Sequence, residues 1–298
     1  MATRITQTMI NTQMLRNLGT NLNRMDNYQN QLATGRRINK PSDDPVGLSF
    51  AMRYRSELSA NDQYQANTES ATSWLSYTDS TLDKTNEVLQ RVRELTVQAA
   101  NGTNPQTAED SINSEMKQLY SQLVSLGNSE FNGKHVFNGQ MTDVAPYTEA
   151  NASQVDVDDA SVQFEIGAGV KLPVNVTGTQ VFGSSTESDN VFKVMQDLIG
   201  AISTSDFTGI SNSLGQLDSR MDKFLSIRSD VGAKMNRVDL SKSRLEDINS
   251  NLQSLQTKVE DADVAETMTN LKTAQNVYEA SLSVGSQIIR PSLVDFLK

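Results

Sequence analysis

The sequence predicts a mainly α fold: a long antiparallel coiled-coil helical rod formed by the N- and C-terminal halves, with a small antiparallel β-rich insert at the tip. Three observations predict it. Over most of the chain apolar residues recur at alternating steps of three and four, the mark of helices with a narrow apolar seam. Between about residues 155 and 182 the period becomes two, and then the helical one returns. From Thr208 to Ile289 there is no proline, so nothing interrupts very long helices there. Helices, an insert, and helices again bring the two chain ends together and leave the insert at the far end.

The first helical pattern, within residues 1–40, reads Leu15, Leu18, Leu22, Met25 and Leu32, with Gln29 filling a seam position. It ends at Thr34-Gly35, where the glycine supplies a left-handed cap. Asn39 to Gly47, with Pro41, Pro45 and the acids Asp43 and Asp44, reads as a turn. A second helix carries Leu75, Leu82 and Leu89 at heptad spacing, with Val88, Val92 and Leu95 alongside, and stops near Asn101-Gly102. Pro105 suits the first position of a third helix, marked by Ile112, Met116, Leu119, Leu123 and Leu126 and closed at Gly127. Asn132-Gly133 and Asn138-Gly139 are hairpin-type turn signals. Val155 and Val157, then Val162, Phe164 and Ile166, then Val170 to Val176 alternate as an antiparallel meander linked through Gly167-Ala-Gly169. Asp189 suits an N-cap for a helix bearing Phe192, Met195, Ile199 and Ile202.

The long C-terminal stretch reads Ile210, Leu214, Leu217, Met221, Phe224, Val231, Met235 and Val238, then Leu245, Ile248, Leu252, Leu255 and Val259, with Arg228 the polar exception. Fifty residues of helix span about 75 Å, and so narrow a seam needs other helices beside it. Glu260 to Asp263 interrupts it, and Asp263 with Glu266 resembles a capping box opening a last helix. That helix carries Val264, Met268, Leu271, Tyr278, Leu282 and Ile289, with Gln275 and Gly285 between them; Pro291 ends it, and Leu293, Phe296 and Leu297 form an apolar tail. The first and last helices are both narrow and rich in Gln, Asn and Thr. Neither is stable alone in water, so they are expected to pair with each other and with neighbouring copies.

Composition narrows the function classes. The balance of 26 basic to 36 acidic residues gives a net charge of -10, which disfavours nucleic acid and anionic membrane as partners. No run approaches the roughly 18 apolar residues of a membrane helix, and the first residues lack the apolar core of a secretory signal peptide. Cysteine is absent and His135 is the one histidine, so zinc or haem ligation and a cysteine nucleophile have no basis and no cofactor is expected. His135 reads as a surface or turn residue. Asp43 and Asp44 read as turn-holding acids rather than a metal or acid/base pair. The Glu260–Asp263 run reads as helix capping, and no phosphate-binding glycine loop occurs. The chain is not expected to be an enzyme.

Three strings carry a resemblance. Gln31-Leu-Ala-Thr-Gly-Arg-Arg-Ile-Asn39, followed by Ser42-Asp-Asp-Pro-Val-Gly47 and Arg53, resembles the N-terminal signature of the bacterial flagellin family. So does Leu89-Gln-Arg-Val-Arg-Glu-Leu-Thr-Val-Gln-Ala-Ala-Asn-Gly-Thr-Asn104. Val259-Glu-Asp-Ala-Asp-Val264 with Gln275 is similar to the start of that family's last helix. The likeness covers residues 1–140 and 190–298. Within the family, Lys40-Pro-Ser-Asp-Asp-Pro45, Ser73-Trp-Leu-Ser-Tyr-Thr-Asp79, Ile227-Arg-Ser-Asp-Val-Gly-Ala233 and the ending Ile289-Arg-Pro-Ser-Leu-Val-Asp-Phe-Leu297 are most similar to the hook–filament junction branch.

The resemblance implies a structural role: an adaptor ring of copies, with a neighbouring hook-associated protein on one side and flagellin on the other. It implies type III export, a cytosolic export chaperone at the C-terminal helix, and an extracellular place in the flagellum. It divides the chain into a terminal helical assembly domain (1–42 and 260–298), a helical rod domain (43–139 and 189–259) and a β-rich outer domain (140–188). Assembly contacts are expected from Leu15, Leu18, Leu22, Met25, Leu32, Arg36, Ile38, Asn39, Asp43 and Asp44 at the N-terminal end. At the other end they are expected from Leu271, Gln275, Tyr278, Leu282, Ile289, Leu293 and Phe296. A short flagellin stays open as the nearest alternative, and a cytosolic coiled-coil scaffold or signalling module as a more distant one.

Overall fold

In the computed structural model, residues 7–102 and 104–288 are described. Seven helices and two strand pairs follow one another among them. Their order is α1 (Gln7–Thr34), α2 (Pro45–Ala99), α3 (Gln106–Gly127), β1 (Glu130–Phe131), β2 (Lys134–His135), β3 (Gln163–Gly167), β4 (Val170–Pro173), α4 (Gly178–Phe182), α5 (Val191–Ser203), α6 (Phe207–Glu260) and α7 (Val264–Ile288). The fold is mainly α, with long helices packed on one another and small antiparallel strand pairs. Two compact units form, one from the chain ends (Met1–Ala60 with Ile248–Lys298) and one from the middle (Asn61–Asp247).

In the middle unit α2 and α6 lie antiparallel, because their cross-links run in opposite numerical directions. Arg93 meets Asp218 at 2.7 Å, Arg228 meets Asp83 at 2.8 Å and Asp79 at 3.3 Å, and the Asn61 side-chain amide donates to the Leu245 carbonyl at 3.0 Å. Arg228, the polar break in the apolar stripe, is thus a cross-helix ion-pairing residue. The seam follows the heptad spacing: Leu75, Leu82 and Leu89 on α2 and Ile210, Leu217, Phe224, Val231 and Val238 on α6 are all buried. Around these leucines α2 also buries threonines at 68, 78, 81, 85 and 96. Each of their hydroxyls donates to the carbonyl four residues back, at 2.7–3.0 Å, so none of these hydroxyls is stranded.

The insert departs from the meander that its period suggests. Asn132 and Gly133, at φ 53° and 74°, make the expected tight turn between β1 and β2. β3 and β4 form the one longer hairpin, turning at Gly169 with φ 70°. Val155 and Val157 lie in no strand. The acids between and after them explain this: Asp156 accepts from the Ser185 N–H at 2.6 Å, and Asp158 from the Gln140 and Ala160 N–H groups at 2.7 and 3.1 Å. Side-chain acceptors thus tie this stretch to residues 140 and 185 in place of a ladder. An aromatic cluster of Phe137, Tyr147, Phe182 and Phe192, with ring centroids 4.8–5.7 Å apart, anchors the insert.

Three further details differ from expectation. Pro105 precedes α3 as its N-cap instead of opening it. Asn190, not Asp189, caps α5 by accepting from the Lys193 N–H. His135 is buried, not at the surface: its Nδ1 lies 3.0 Å from the Asn128 carbonyl and its Nε2 3.3 Å from Glu130.

Candidate assembly site

The chain-end unit is built on the antiparallel pair of α1 and α7. Arg36 bridges Asp261, the Ala262 N–H donates to the Gly35 carbonyl, and the Asn21 side chain reaches Ser281 at 3.4 Å. The covered face of α1 is Asn11, Met14, Leu18, Asn21, Met25, Tyr28 and Leu32, a regular alternation of threes and fours. On α7 it is Thr267, Leu271, Ala274, Tyr278, Ser281 and Gly285. A Cβ at position 285 would collide with the Met14 thioether, so the glycine is what admits Met14.

This seam is thin. Apart from Leu271 and Ala274, each 8% exposed, no apolar side chain on the described parts of either helix is fully buried. Polar and small residues fill much of the contact, while large apolar ones face out. Leu15 is 68% exposed and Leu22 42% on α1; Val264, Met268, Leu282 and Val284 are 45–59% exposed on α7. Near the far ends of the pair a groove of about 800 Å³ opens between Met9, Ile10, Gln13, Met14, Val277 and Val284.

Of the expected site residues, Leu18, Met25, Leu32, Leu271 and Tyr278 thus lie on the covered faces of the intramolecular pair and Gln275 is half-buried, whereas Leu15, Leu22 and Leu282 are exposed. Ile289, Leu293 and Phe296 lie outside the described residues.

The remaining positions gather at the base of the pair. Asp43 Oδ2 accepts from the Asn39 and Lys40 N–H groups at 3.0 and 2.8 Å, and the Asn39 amide donates to the Arg36 carbonyl at 2.9 Å. Asp44 accepts from the Gly47 N–H at 2.8 Å, capping α2, so the helix begins at Pro45, earlier than the turn reading placed it. That N–H, with the Arg37 guanidinium nearby, holds the Asp44 carboxyl below the usual range. Ile38 is buried under this turn. Asp263 caps α7 by accepting from the Ala265 and Glu266 N–H groups at 2.9 and 3.1 Å.

Glu260 is the residue that sequence reasoning missed. It is 2% exposed, and its carboxylate is bonded by Arg55 through two nitrogens, by Gln256 at 3.0 Å and by Arg36 at 2.9 Å. Its carbonyl accepts from the Arg37 N–H at 2.7 Å, and the Arg37 guanidinium donates to the Val259 carbonyl at 2.8 Å. Burial alone would raise its pKa; the hydrogen bonds from Arg55 and Gln256 and the charges of Arg55 and Arg36 outweigh burial and lower it. The signal in sequence was the first acid of the Glu260–Asp263 run at the end of a seam, with the Arg36-Arg37 pair far away in sequence, too common a pattern to single out.

This geometry contains packing faces and a buried ion network, and comparison with known proteins agrees. The model of the bacterial flagellin N-terminal helical region matches residues 5–142, and that of the C-terminal helical region matches residues 214–297. A flagellin of Halalkalibacterium halodurans is 25% identical over 91% of this chain and 90% of its own. Flagellar hook-associated protein 3 of Escherichia coli is 26% identical over 71% of this chain and 74% of its own. The solved flagellar hook-associated protein 3 of Legionella pneumophila shares the fold, with a TM-score of 0.63 at 16% identity over 70% of this chain and 98% of its own. Long helical ends matched on both sides of the insert fit one lineage of non-enzymatic structural proteins of the extracellular flagellum, and the chain belongs to the bacterial flagellin family.

Proposed function

We propose that this protein is the junction subunit of the bacterial flagellum, forming an adaptor ring between the hook and the filament. The observation that carries an assembly role is the outward apolar face of α1 and α7. Leu15, Leu22, Val264, Met268, Leu282 and Val284 flank a seam too thin to account for two helices of this length. Copies of the same chain would cover these strips, with a hook-associated protein on the hook side and flagellin on the filament side. The junction, as against the filament, is supported by the Lys40–Pro45 and Ile289–Leu297 strings and by the likeness to hook-associated protein 3. Export through the flagellar type III channel, with a chaperone on the C-terminal helix, follows from the same reading.

Gene deletion tests it. Loss of a junction subunit leaves intact hooks and sheds unpolymerised flagellin into the medium. A cell that instead makes capped hooks and releases no flagellin would identify the protein as a filament subunit. Absence of the protein from sheared, purified flagella would support a cytosolic scaffold instead.

A further inference from the structure

We propose that the cleft between α2 and the two hairpins of the middle unit is a binding site for a short uncharged oligosaccharide. The cleft has a volume of about 580 Å³ and is lined on α2 by Ala66, Ser70 and Ser73, with Phe131 from β1 and Phe164 from β3 as aromatic walls. Small residues at steps of four and three share one face of the helix and leave room above it. The walls are held in place. Phe131 stands edge-on to Trp74 at 5.9 Å and tilts against Tyr77 at 5.2 Å, and the Asn67 amide ties β3 to α2 by donating to the Glu165 carbonyl at 2.9 Å.

One donor in the cleft lacks a partner. Trp74 is 7% exposed and lines the cleft, yet its indole N–H is buried with no acceptor among the described residues, where a buried indole ordinarily has one. The cleft is the open space that Trp74 borders, so an acceptor has to come from a molecule lodged there. The other polar groups are equally unused. The side chains of Glu69, Asn132 and Lys134 make no hydrogen bond or ion pair among the described residues. The Ser70 and Ser73 hydroxyls donate back to the Ala66 and Glu69 carbonyls at 2.9 Å, which leaves their lone pairs to accept. Phe164 is half-buried and pairs with no other ring among the described residues.

These groups select the ligand by chemistry. An aliphatic ligand would leave the indole N–H stranded. A peptide adding as a strand finds β1 only two residues long and, on β3, the Glu165 carbonyl already taken by Asn67. A charged ligand meets one carboxylate, Glu69, and one ammonium, Lys134, so no net charge attracts it. A neutral sugar satisfies every group: its oxygens accept from the indole N–H and from Lys134, its hydroxyls donate to Glu69, and its C–H face lies on Phe164. All of these residues lie in the middle unit, so the site is independent of where the ring stands in the flagellum.

The chain has a single tryptophan, so the isotope-labelled full-length protein gives one indole N–H resonance that reads the site. In titrations with maltotriose, cellotriose and chitotriose, at least one sugar should move that resonance downfield, as an N–H gaining an acceptor does, with half-saturation below about 1 mM. Glu69→Gln, at an exposed position, should weaken this binding about tenfold. Glu87→Gln, exposed on the same helix away from the cleft, should leave it unchanged. A resonance that none of the sugars moves up to about 10 mM would overturn the proposal. So would a shift undiminished in Glu69→Gln, or an equal shift with trialanine, which would make the cleft a peptide site.

Discussion

Arg220 is the largest side chain wholly inside the middle unit, and it is charged. Its guanidinium donates to the Asp189 carboxylate at 2.7 Å, to the Asp189 and Gln180 carbonyls at 3.1 and 3.2 Å, and to Glu187. Lys223 closes on the other oxygen of Asp189 at 2.9 Å. Together they fasten the segment between α4 and α5 to α6. Asp189→Asn should therefore destabilise the protein by about 2 kcal/mol, the loss of charge-assisted bonds from Arg220 and Lys223 with Glu187 still pairing Arg220, read as a lower urea midpoint by circular dichroism.

Two buried acids, Asp189 and Glu260, contribute to the acid limit. Burial would raise Asp189 and Glu260, yet Lys223 and Arg220 lower the first, and Arg55, Gln256 and Arg36 lower the second, below their ordinary 3.8 and 4.5. With folded values depressed, the unfolded chain takes up protons first as pH falls. Their stabilisation is complete above about pH 4.5 and drains away as pH drops through the folded values. A urea midpoint that is level from pH 7 to 5 and falls steeply below 4, with a shallower fall in Asp189→Asn, is the expected record. Sequence alone could not separate Asp189 from Asn190 as the cap of α5, because both suit an N-cap and only a partner from α6 decides between them.

Among the elements, the first helix shows how a seam can be read one flank off. Steps of three and four run equally well through Leu15, Leu18, Leu22 and Met25 or through Met14, Leu18, Asn21 and Met25. Periodicity favoured the leucines; α7 covers the asparagines. The difference is informative, since it leaves two leucines at heptad spacing in solvent. Leu15→Ser with Leu22→Ser should change the unfolding free energy of the monomer by less than about 0.5 kcal/mol, as exposed positions do, yet abolish motility and incorporation into flagella. A large loss of monomer stability would mean that these leucines serve the subunit itself. By contrast, the long seams of α2 and α6 were legible because their leucines and valines repeat at sevens without a competing register. The insert was not, because Asp156 and Asp158 tie their segment to Ser185 and Gln140 through side-chain acceptors, contacts that a two-residue period cannot show. Deleting residues 263–298 should leave a soluble, helical protein that cannot join the hook, checked by circular dichroism and by complementation of motility.

At the level of the molecule, the chain invests its apolar residues unevenly. The middle unit has the aromatic cluster, the heptad seams and the Arg220 network; the chain-end unit has an ionic base and a thin pair of helices with apolar outer faces. That contrast suits a subunit whose middle is self-sufficient and whose ends are completed by other copies. The family and its fold were legible from motifs at both ends of the sequence. The distinction between junction and filament rests on short strings around Pro45 and Pro291. Immunogold labelling of intact flagella with an antibody to the middle unit tests the central claim most directly. The account predicts one labelled band where the hook meets the filament; label distributed along the filament would contradict it.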